Sequence, residues 1–272
     1  MRPPCADTLS VTRGNRRQGG REDGQIVNDD EIQAIILVGG KGTRLHSVVG
    51  DRPKPMAEVA GRPFVEWLLL ALRAQGARRI VLATGYKGDM VEAYFKDGAA
   101  LGLELRYARE RVPLGTGGAT RHALEETTTP DVLVLNGDSF CPFDVGQLVE
   151  ARRRTAAEAV LWLVETEDSR RFGSVDVEEN GRIVAFHEKS PALGAGRINA
   201  GIYLFDRRAL EALPDDQAMS LERDVFPVLI QRARGLYSVT GSGPFLDIGT
   251  PEAYRSADQF LAENRALWRD VP

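Results

Sequence analysis

The sequence predicts an α/β fold with a Rossmann-like, mostly parallel central sheet flanked by helices and a strand-rich part in its second half. An uninterrupted aliphatic run at residues 34–38 is typical of a strand that is covered on both faces. Up to about residue 150, short apolar runs alternate with longer amphipathic segments, which is the order of strand–helix–strand units. After residue 150 the apolar runs follow one another more closely, as strands do.

The first half is predicted to alternate strands with helices. Besides the strand at 34–38, strands are expected at 79–84, 103–107 and 132–135, and helices at 63–75, 89–95 and 116–126. The first of these helices has Pro63 in its first turn and Gly76 after its last, as helices prefer. Because open sheets of this type bind ligands beyond the carboxyl ends of their strands, we expect the functional site at that edge.

The second half is predicted to be rich in strands. They are expected at 159–165, 173–177, 182–187, 199–205 and 236–239. Asn180-Gly181 predicts a hairpin turn between the second and the third of these strands. One helix is expected at 221–232, and another after Thr250 and Pro251, which suit an N-cap and a first turn. We expect this half to lie over the carboxyl ends of the first sheet.

Composition narrows the kind of ligand and the compartment. A formal net charge of −4 with 43% hydrophobic and 27% charged residues gives no sign of a nucleic-acid or membrane surface. A phosphate would therefore be bound by a local basic cluster, which favours a small-molecule ligand. The two cysteines, Cys5 and Cys141, indicate a reducing compartment. Since no signal-like segment and no run of about 18 apolar residues occurs, the cytoplasm is the expected location.

The domain organisation is predicted from changes of pattern along the chain. Residues 1–31 are rich in arginine and glycine and poor in apolar residues, which predicts a disordered N-terminal extension. One domain is expected over 32–272, with a first half at 32–150, a second half at 151–255 and a C-terminal helix at 256–272.

The glycine-rich loop after the first strand indicates a phosphate-binding site. Gly39, Gly40 and Gly42 allow the backbone to approach a ligand and to point N–H groups at it, while Lys41 and Arg44 add positive charge. This combination favours an anion, and a phosphate chain fits best. The spacing matches neither the P-loop nor the dinucleotide fingerprint. Taken alone, the loop is also compatible with an ordinary turn after a strand.

Two carboxylates are candidate metal ligands. Asp138 follows the strand at 132–135, and Mg²⁺ is usually held by one or two carboxylates together with substrate phosphates. The alternative for Asn136-Gly137-Asp138 is a plain turn. Asp247 stands between apolar residues ahead of a capped helix, so its charge needs a cation, local backbone donors or exposure. Nothing in their spacing indicates that the two carboxylates meet.

Two lysines and a second loop are further candidates. Lys54 is held between Pro53 and Pro55, which lowers the entropy cost of fixing its charge, and Lys189 follows a predicted strand. For both lysines a solvated surface charge is the alternative. Residues 110–119 form a second glycine-rich loop that opens a helix, and two such loops favour a nucleotide held between them. The alternative is a flexible strand-to-helix connection.

With these segments the chain resembles the sugar-1-phosphate nucleotidyltransferases over about residues 33–254. The resemblance rests on eight motifs in the family's order, the first with valine where alanine is more usual. They are Val38-Gly39-Gly40-Lys41-Gly42-Thr43-Arg44-Leu45, Pro53-Lys54-Pro55-Met56, Pro113-Leu114-Gly115-Thr116-Gly117-Gly118-Ala119, Asn136-Gly137-Asp138, Phe172-Gly173-Ser174-Val175, Glu188-Lys189, Asn199-Ala200-Gly201-Ile202-Tyr203 and Asp247-Ile248-Gly249-Thr250-Pro251. The segments at 47–49, 114–118 and 220–224 are most similar to D-glycero-α-D-manno-heptose 1-phosphate guanylyltransferases.

The resemblance implies an enzyme that transfers a nucleotidyl group from an NTP to a sugar 1-phosphate, with Mg²⁺ as cofactor and release of pyrophosphate. It implies that the first half binds the nucleotide and the second half the sugar. The residues implied are Arg44, Lys54 and Lys189 at the phosphates; Asp138 and Asp247 at the metal; Gly173, Glu188 and Asn199 at the sugar; and Val38, Gly39, Gly40, Gly42, Thr43, Glu110, Pro113, Gly115, Thr116 and Gly137 at the nucleotide.

The resemblance favours GTP and heptose 1-phosphate as substrates. Glu110 falls where the family meets the base, and a carboxylate suits the adjacent N–H and NH₂ donors of guanine; a solvated acid before a turn is the alternative. Competing hypotheses are a mannose- or glucose-1-phosphate enzyme using another NTP and a non-catalytic relative that binds sugar nucleotides. The sequence leaves open the sugar, its anomer, the base and association into a homo-oligomer.

Overall fold

The centre of the structure is a sheet to which both halves of the chain contribute strands. The computed structural model describes residues 32–40, 42, 45, 50, 52–187 and 194–264, and the extension predicted for 1–31 lies outside them. The strands of this part of the chain are β1 (Ile32–Leu37), β2 (Glu58–Val59), β3 (Arg62–Pro63), β4 (Arg79–Thr84), β5 (Glu104–Arg109), β6 (Asp131–Asn136), β7 (Ser139–Phe140), β8 (Ala159–Thr166), β9 (Ser174–Val177), β10 (Ile183–His187), β11 (Gly196–Asp206), β12 (Leu236–Gly241) and β13 (Leu246–Asp247).

Seven of these strands form the central sheet in the order β12-β8-β11-β6-β1-β4-β5. Neighbouring strands are parallel, except that β11 runs antiparallel to both β6 and β8. Because β1 is paired on both sides, Ile35 lies opposite Val81 of β4 and Val134 of β6. The predicted α/β class with a mostly parallel central sheet is confirmed.

Helices cover both faces of this sheet. They are α1 (Phe64–Ala74), α2 (Gly88–Phe95), α3 (Gly115–Ala123), α4 (Val145–Thr155), α5 (Arg207–Glu211), α6 (Phe226–Ile230), α7 (Pro251–Arg255) and α8 (Ala257–Glu263). Side chains of β1 alternate between two cores, since Ile36 shares one with α1, α2 and α4 and Ile35 shares the other with α3 and α6. Among the described residues, no helix combines the length and the apolar composition needed to cross a bilayer.

The second half of the chain extends the sheet, and the expectation that it lies over the carboxyl ends of the first sheet is wrong. β8, β11 and β12 are strands of the central sheet itself. The reason is β11, an 11-residue strand that pairs with β6 on one side and with β8 on the other. The β9–β10 hairpin forms a separate two-stranded sheet, and its turn contains Gly181 with φ +88°, as the Asn180-Gly181 prediction requires.

Two helices, α4 and α5, are absent from the sequence-based prediction. α4 buries only Val145, Leu148 and Ala151, so its apolar stripe is too narrow to stand out in the sequence. Its start is marked by Asp144, whose side chain accepts a hydrogen bond from the Gln147 N–H at 3.2 Å. α5 has only five residues, which is too short for a periodic pattern.

The two helices predicted near the end of the chain are interrupted. The one expected at 221–232 begins with a π-helical turn at Leu221–Val225 and continues as α6. The last helix is divided at Ser256 into α7 and α8, and the C-terminal helix predicted for 256–272 is described only over α8. The predicted cap is confirmed, because Thr250 Oγ1 accepts a hydrogen bond from the Ala253 N–H at 3.3 Å.

An ion cluster around Asp206 stabilises the edge of the sheet opposite the carboxyl ends of β1 and β6. Asp206 Oδ2 lies 2.5 Å from an Arg234 nitrogen and 2.9 Å from Arg152, and Oδ1 accepts a hydrogen bond from the Arg208 N–H. Burial acts to raise the pKa of Asp206, but these hydrogen bonds and the charge of Arg152 outweigh it and lower the pKa. The ionised carboxylate therefore contributes to stability.

We expect Asp206→Asn to lower the free energy of unfolding by about 2–4 kcal/mol near pH 7, because it leaves the Arg152 guanidinium, 12% exposed, without its closest carboxylate. The lowered pKa means that this contribution is present above about pH 4 and is lost as the pH falls through the folded-state pKa. Urea unfolding at several pH values measures the difference, with Glu211→Gln, which removes a more exposed ion pair with Arg207, as the control. A deficit that persists undiminished at pH 2 would contradict this account.

Candidate active site

A cleft of about 490 Å³ opens at the carboxyl ends of β1, β4, β5 and β6. This is the edge of the sheet at which the ligand was expected, and the volume is in the range of small-molecule sites. The cleft is lined by Leu37, Gly39, Gly40, Lys54, Pro55, Gly85, Tyr86, Glu110, Arg111, Val112, Pro113, Gly115, Thr116, Ala119, Asn136, Gly137 and Asp138.

The loop after β1 packs closely on two charged side chains, which is why glycine is needed there. A β-carbon at Gly39 would clash with Oε1 of Glu110. Gly42 has φ +58°, and a β-carbon there would lie 2.7 Å from Cβ of Lys54. The first glycine loop therefore packs against Glu110, the residue predicted to contact the base, and Lys54, the residue predicted to contact the phosphates.

Lys54 lies between the two predicted metal carboxylates. Its Nζ is 2.7 Å from Oδ2 of Asp138 and 3.4 Å from Oδ1 of Asp247. The lysine side chain is 13% exposed, whereas the carboxylates are 40% and 31% exposed. The ammonium thus bridges two acidic groups at the rim of the cleft, with the acidic groups facing outward.

A pair of two-residue strands brings the carboxylates together across more than a hundred positions of sequence. β7 follows Asp138 directly, and β13 ends at Asp247, which is opposite Ser139 in the antiparallel β7–β13 pair. The Ile248 N–H donates to the Asp138 carbonyl oxygen at 3.1 Å. The Gly249 N–H donates to Oδ1 of Asp247 at 2.7 Å and orients that carboxylate. Asp247 is therefore part of the same site as Asp138, although it does not line the cleft.

The carboxylate pair suits a divalent metal. Two carboxylates that converge on one cation, in a cleft large enough for phosphate oxygens to complete the coordination, match the way proteins hold Mg²⁺ with substrate. Within the described residues, no group of three or more His, Cys, Asp or Glu side chains could hold a metal without such a substrate.

Glu110 occupies the other end of the cleft, next to the loop between β5 and α3. Its Oε2 accepts a hydrogen bond from the Leu114 N–H at 2.6 Å, which ties the carboxylate to its own loop. Burial raises the pKa of Glu110 above its usual value, against the Leu114 hydrogen bond and the charge of His122, which lower it. The other oxygen, Oε1, lies at the Gly39 and Gly85 backbones and at the cleft wall.

The structure brings only some of the predicted site residues to the cleft. Those that line it are Gly39, Gly40, Lys54, Glu110, Pro113, Gly115, Thr116, Gly137 and Asp138. Val38 is buried behind the wall with 1% of its surface exposed, and neither Gly173 nor Asn199 lines the cleft. Thr43, Arg44, Glu188 and Lys189 lie outside the described residues, so their assignments stay predictions.

Residues 33–264 match the Nucleotidyl transferase family over most of the chain. The chain belongs to this family. The resemblance found in the sequence, and with it the predicted class of sugar-1-phosphate nucleotidyltransferase, is confirmed. Enzymes of this family generally use a divalent metal, which agrees with the carboxylate pair.

Several relatives of this chain are named as guanylyltransferases. Mannose-1-phosphate guanylyltransferase of Mycobacterium tuberculosis is 40% identical over 82% of this chain, which spans only 63% of that protein's length. D-glycero-alpha-D-manno-heptose 1-phosphate guanylyltransferase of Aneurinibacillus thermoaerophilus is 35% identical over 85% of this chain and 98% of its own. HddC from Yersinia pseudotuberculosis, crystallised with GMP-PN, superposes with a TM-score of 0.74 at 33% identity over 84% of this chain and 98% of its own.

The sequence did not predict some of the residues that line the cleft. Gly85 and Tyr86 follow β4 directly, and the Tyr86 N–H donates to the Gly39 carbonyl oxygen at 3.3 Å. Asn136 ends β6 beside the predicted Gly137 and Asp138. Leu37 and Pro55 were also not predicted, and Arg111, Val112 and Ala119 were predicted only as members of the loop at 110–119. The signal that could have found Gly85 and Tyr86 is their position at the carboxyl end of a predicted strand.

We expect Gly39→Ala to lower the free energy of unfolding by about 1–3 kcal/mol, because the new methyl group collides with the Glu110 carboxylate. Glu110→Ala removes that obstruction, so the penalty of Gly39→Ala should shrink in the double variant. Urea unfolding of the four proteins of this cycle measures both penalties. Equal penalties in the two backgrounds would show that the Glu110 carboxylate is not the source of the penalty.

Proposed function

We propose that this protein transfers GMP from GTP to a sugar 1-phosphate, with D-glycero-α-D-manno-heptose 1-phosphate as the favoured acceptor. The observation that carries the proposal is the convergence of Lys54, Asp138 and Asp247 at a glycine-lined cleft. Two strongly anionic substrates react only where positive charge offsets their repulsion. Support for guanine comes from relatives named as guanylyltransferases and from the neighbour complexed with GMP-PN.

The proposed reaction is an in-line displacement at phosphorus. An oxygen of the sugar 1-phosphate forms a bond to the α-phosphorus of GTP while the bond from that phosphorus to the oxygen bridging to the β-phosphorus breaks. The products are the GDP-sugar and pyrophosphate. Because the attacking phosphate is already ionised at pH 7, the protein needs no general base, and it acts by positioning and by neutralising charge.

Lys54 is proposed to neutralise the reacting phosphates. Its ammonium has three donors and is directed to the cleft rim by a backbone that two prolines restrict, with Pro53 at φ −63° and ψ 145°. On substrate binding, phosphate oxygens would replace the contacts of Nζ with Asp138 and Asp247. Both carboxylates would then be available for the metal.

Mg²⁺ is the divalent ion we propose for Asp138 and Asp247. When bound, it would neutralise negative charge on the phosphates of both substrates. Asp247 is held for this role by the Gly249 N–H, and Asp138 by its place next to β7. A β-carbon at Gly249 would lie 2.8 Å from Oδ1 of Asp247 and 3.2 Å from Nζ of Lys54, so glycine keeps this corner open.

The remaining assignments follow from the resemblance. Residues 32–150 are proposed to bind the nucleotide and residues 151–255 the sugar, and the cytoplasm is the proposed location. The side chains and loops concerned are Thr43 at the nucleotide, Arg44 at the leaving pyrophosphate, Lys189 at the reacting phosphates, and Gly173, Glu188 and Asn199 at the sugar.

Glu110 is proposed to select guanine. Its carboxylate can accept from the adjacent N1–H and N2–H₂ donors of guanine, whereas uracil and thymine have one donor between two acceptors. One oxygen is already bonded to the Leu114 N–H, which holds the side chain in place and leaves Oε1 for the base. Because burial raises its pKa, this recognition should weaken as the pH falls.

The activity is tested by measuring pyrophosphate release with Mg²⁺ for four NTPs against heptose, mannose and glucose 1-phosphates. We expect the highest kcat/KM with GTP and heptose 1-phosphate. Mannose 1-phosphate is the second candidate, because the Mycobacterium tuberculosis mannose-1-phosphate enzyme is 40% identical. Absence of turnover with every pair, combined with tight binding of a GDP-sugar, would instead identify a non-catalytic binding protein.

We expect Glu110→Gln to reduce the kcat/KM preference for GTP over UTP by about 10- to 100-fold, because the amide can no longer accept with both oxygens. In the wild type, kcat/KM for GTP should fall as the pH is lowered through the raised pKa of Glu110, and the variant should lack this titration. Steady-state assays from neutral pH down through the ordinary glutamate range measure both. Unchanged ratios among the four NTPs would remove Glu110 from base selection.

We expect Asp247→Asn to raise the Mg²⁺ concentration for half-maximal rate by about tenfold or more, because one anionic ligand is lost. A Mg²⁺ titration of initial rates measures the change, with Glu211→Gln as the control, since this acid pairs with Arg207 on an exposed helix and does not line the cleft. The same Mg²⁺ midpoint in wild type and Asp247→Asn would argue that this carboxylate serves only to hold Lys54.

A further inference from the structure

A partly buried network of hydrogen bonds begins at Thr116, on the cleft wall. Its hydroxyl donates to Oε2 of Glu222 at 3.1 Å and accepts from the Leu221 N–H at 2.8 Å. Ser220 donates to the same Glu222 oxygen at 2.8 Å. The donor and one acceptor site of the Thr116 hydroxyl are therefore used, and Glu222 determines where its proton points.

The other oxygen of Glu222 reaches toward β11. The hydroxyl of Tyr203, a residue with no exposed surface, donates to Oε1 of Glu222 at 3.3 Å. Tyr203 in turn accepts from Nδ2 of Asn199 at 2.9 Å, and Oδ1 of Asn199 accepts from the Gly201 N–H at 2.9 Å. Burial and the nearby Glu222 charge raise the pKa of Tyr203 well above its usual value, so its hydroxyl keeps the proton that it donates.

The far end of the network also touches the cleft wall. Gly201 has φ +77° where the pairing of β11 with β8 shifts register between Asn199 and Tyr203. A β-carbon at Gly201 would lie 2.7 Å from Nδ2 of Asn136, which lines the cleft. Thr116 and Asn199 thus stand at two ends of one chain of hydrogen bonds, joined through Glu222 and Tyr203.

The direction of the hydroxyl bonds in this chain depends on the carboxylate, whereas the Leu221 and Gly201 N–H groups donate in any case. Glu222 accepts at both oxygens and donates at neither, and its three hydroxyl donors are neutral groups. A glutamine would present an NH₂ group to one side, so the hydroxyls on that side would have to accept instead of donate, and their own protons would lose the acceptor that Glu222 provides. The change would leave the Thr116 proton without its acceptor or disturb the contact of Tyr203 with Asn199, while the bonds from the Leu221 and Gly201 N–H groups would remain.

We propose that Glu222 is a positioning residue that couples the two substrate sites, so that nucleotide bound against Thr116 strengthens the binding of sugar 1-phosphate beside Asn199, and the reverse. This inference rests on the proposed function and adds to it a residue outside the cluster of Lys54, Asp138 and Asp247. When one substrate fixes the side chains at one end of the network, the side chains at the other end also lose conformational freedom. Binding of the second substrate then costs less conformational entropy.

The test is a binding cycle in the full chain by calorimetry, using a GTP analogue with a non-cleavable α,β-imido bridge and heptose or mannose 1-phosphate, whichever the wild type turns over. The coupling factor is the ratio of analogue Kd values without and with sugar 1-phosphate. We expect a wild-type factor above about 5, falling toward 1 in Glu222→Gln, with KM for both substrates raised more than kcat is lowered.

A second variant and a matched control keep the test decisive. Tyr203→Phe removes a single oxygen from the middle of the network and should also bring the coupling factor toward 1, even if Glu222→Gln does not fold. Glu211→Gln makes the same chemical change at an exposed helix position and should keep the wild-type factor. Thermal unfolding identifies any variant whose effect is only a loss of stability.

The outcomes separate this inference from the proposed function. If the wild type binds neither ligand and shows no turnover, the proposed function fails. If it binds both ligands with a coupling factor of 1, or if Tyr203→Phe keeps the wild-type factor, the transferase assignment stands and the coupling role of Glu222 is overturned.

Discussion

The contact of one ammonium group with two carboxylates is the interaction on which this site depends. Asp138 and Asp247 belong to distant parts of the chain, and the two short strands that join them would bring like charges together if Lys54 were not there. The opposite charge offsets that repulsion in a partly exposed setting. The ammonium and the two carboxylates thereby stand together at the rim of the cleft, and the proposed phosphate and metal contacts are inferred from this arrangement.

Close backbone packing supports these charges. The first glycine loop lies against Glu110 and Lys54, and a second set of glycines in α3 packs on the segment before Leu221. A protein with a net charge of −4 can bind two anions in this way because its positive charge is needed only at the cleft.

Sequence patterns predicted the fold class and most elements because both depend on local properties. Buried parallel strands require continuous aliphatic runs, and a capped helix such as α7 shows its start in two residues. α4 was not predicted, because a polar helix with three buried side chains has little hydrophobic periodicity in its sequence. The pairing of β11 with β6 was not predicted, because long-range packing determines which strands pair, and the alternation of residues along a strand does not show its partner.

The sequence by itself determined which chemical groups the site could use: glycines after buried strands, a lysine between prolines, and acids at strand ends. Family resemblance attached roles to them. Only the tertiary structure decided that Asp138 and Asp247 share one cation, that Glu110 packs on Gly39, and that Glu222 joins Thr116 to Tyr203. The physical reason is that contacts between residues a hundred positions apart arise from strand pairing and packing, whose partners no local pattern encodes.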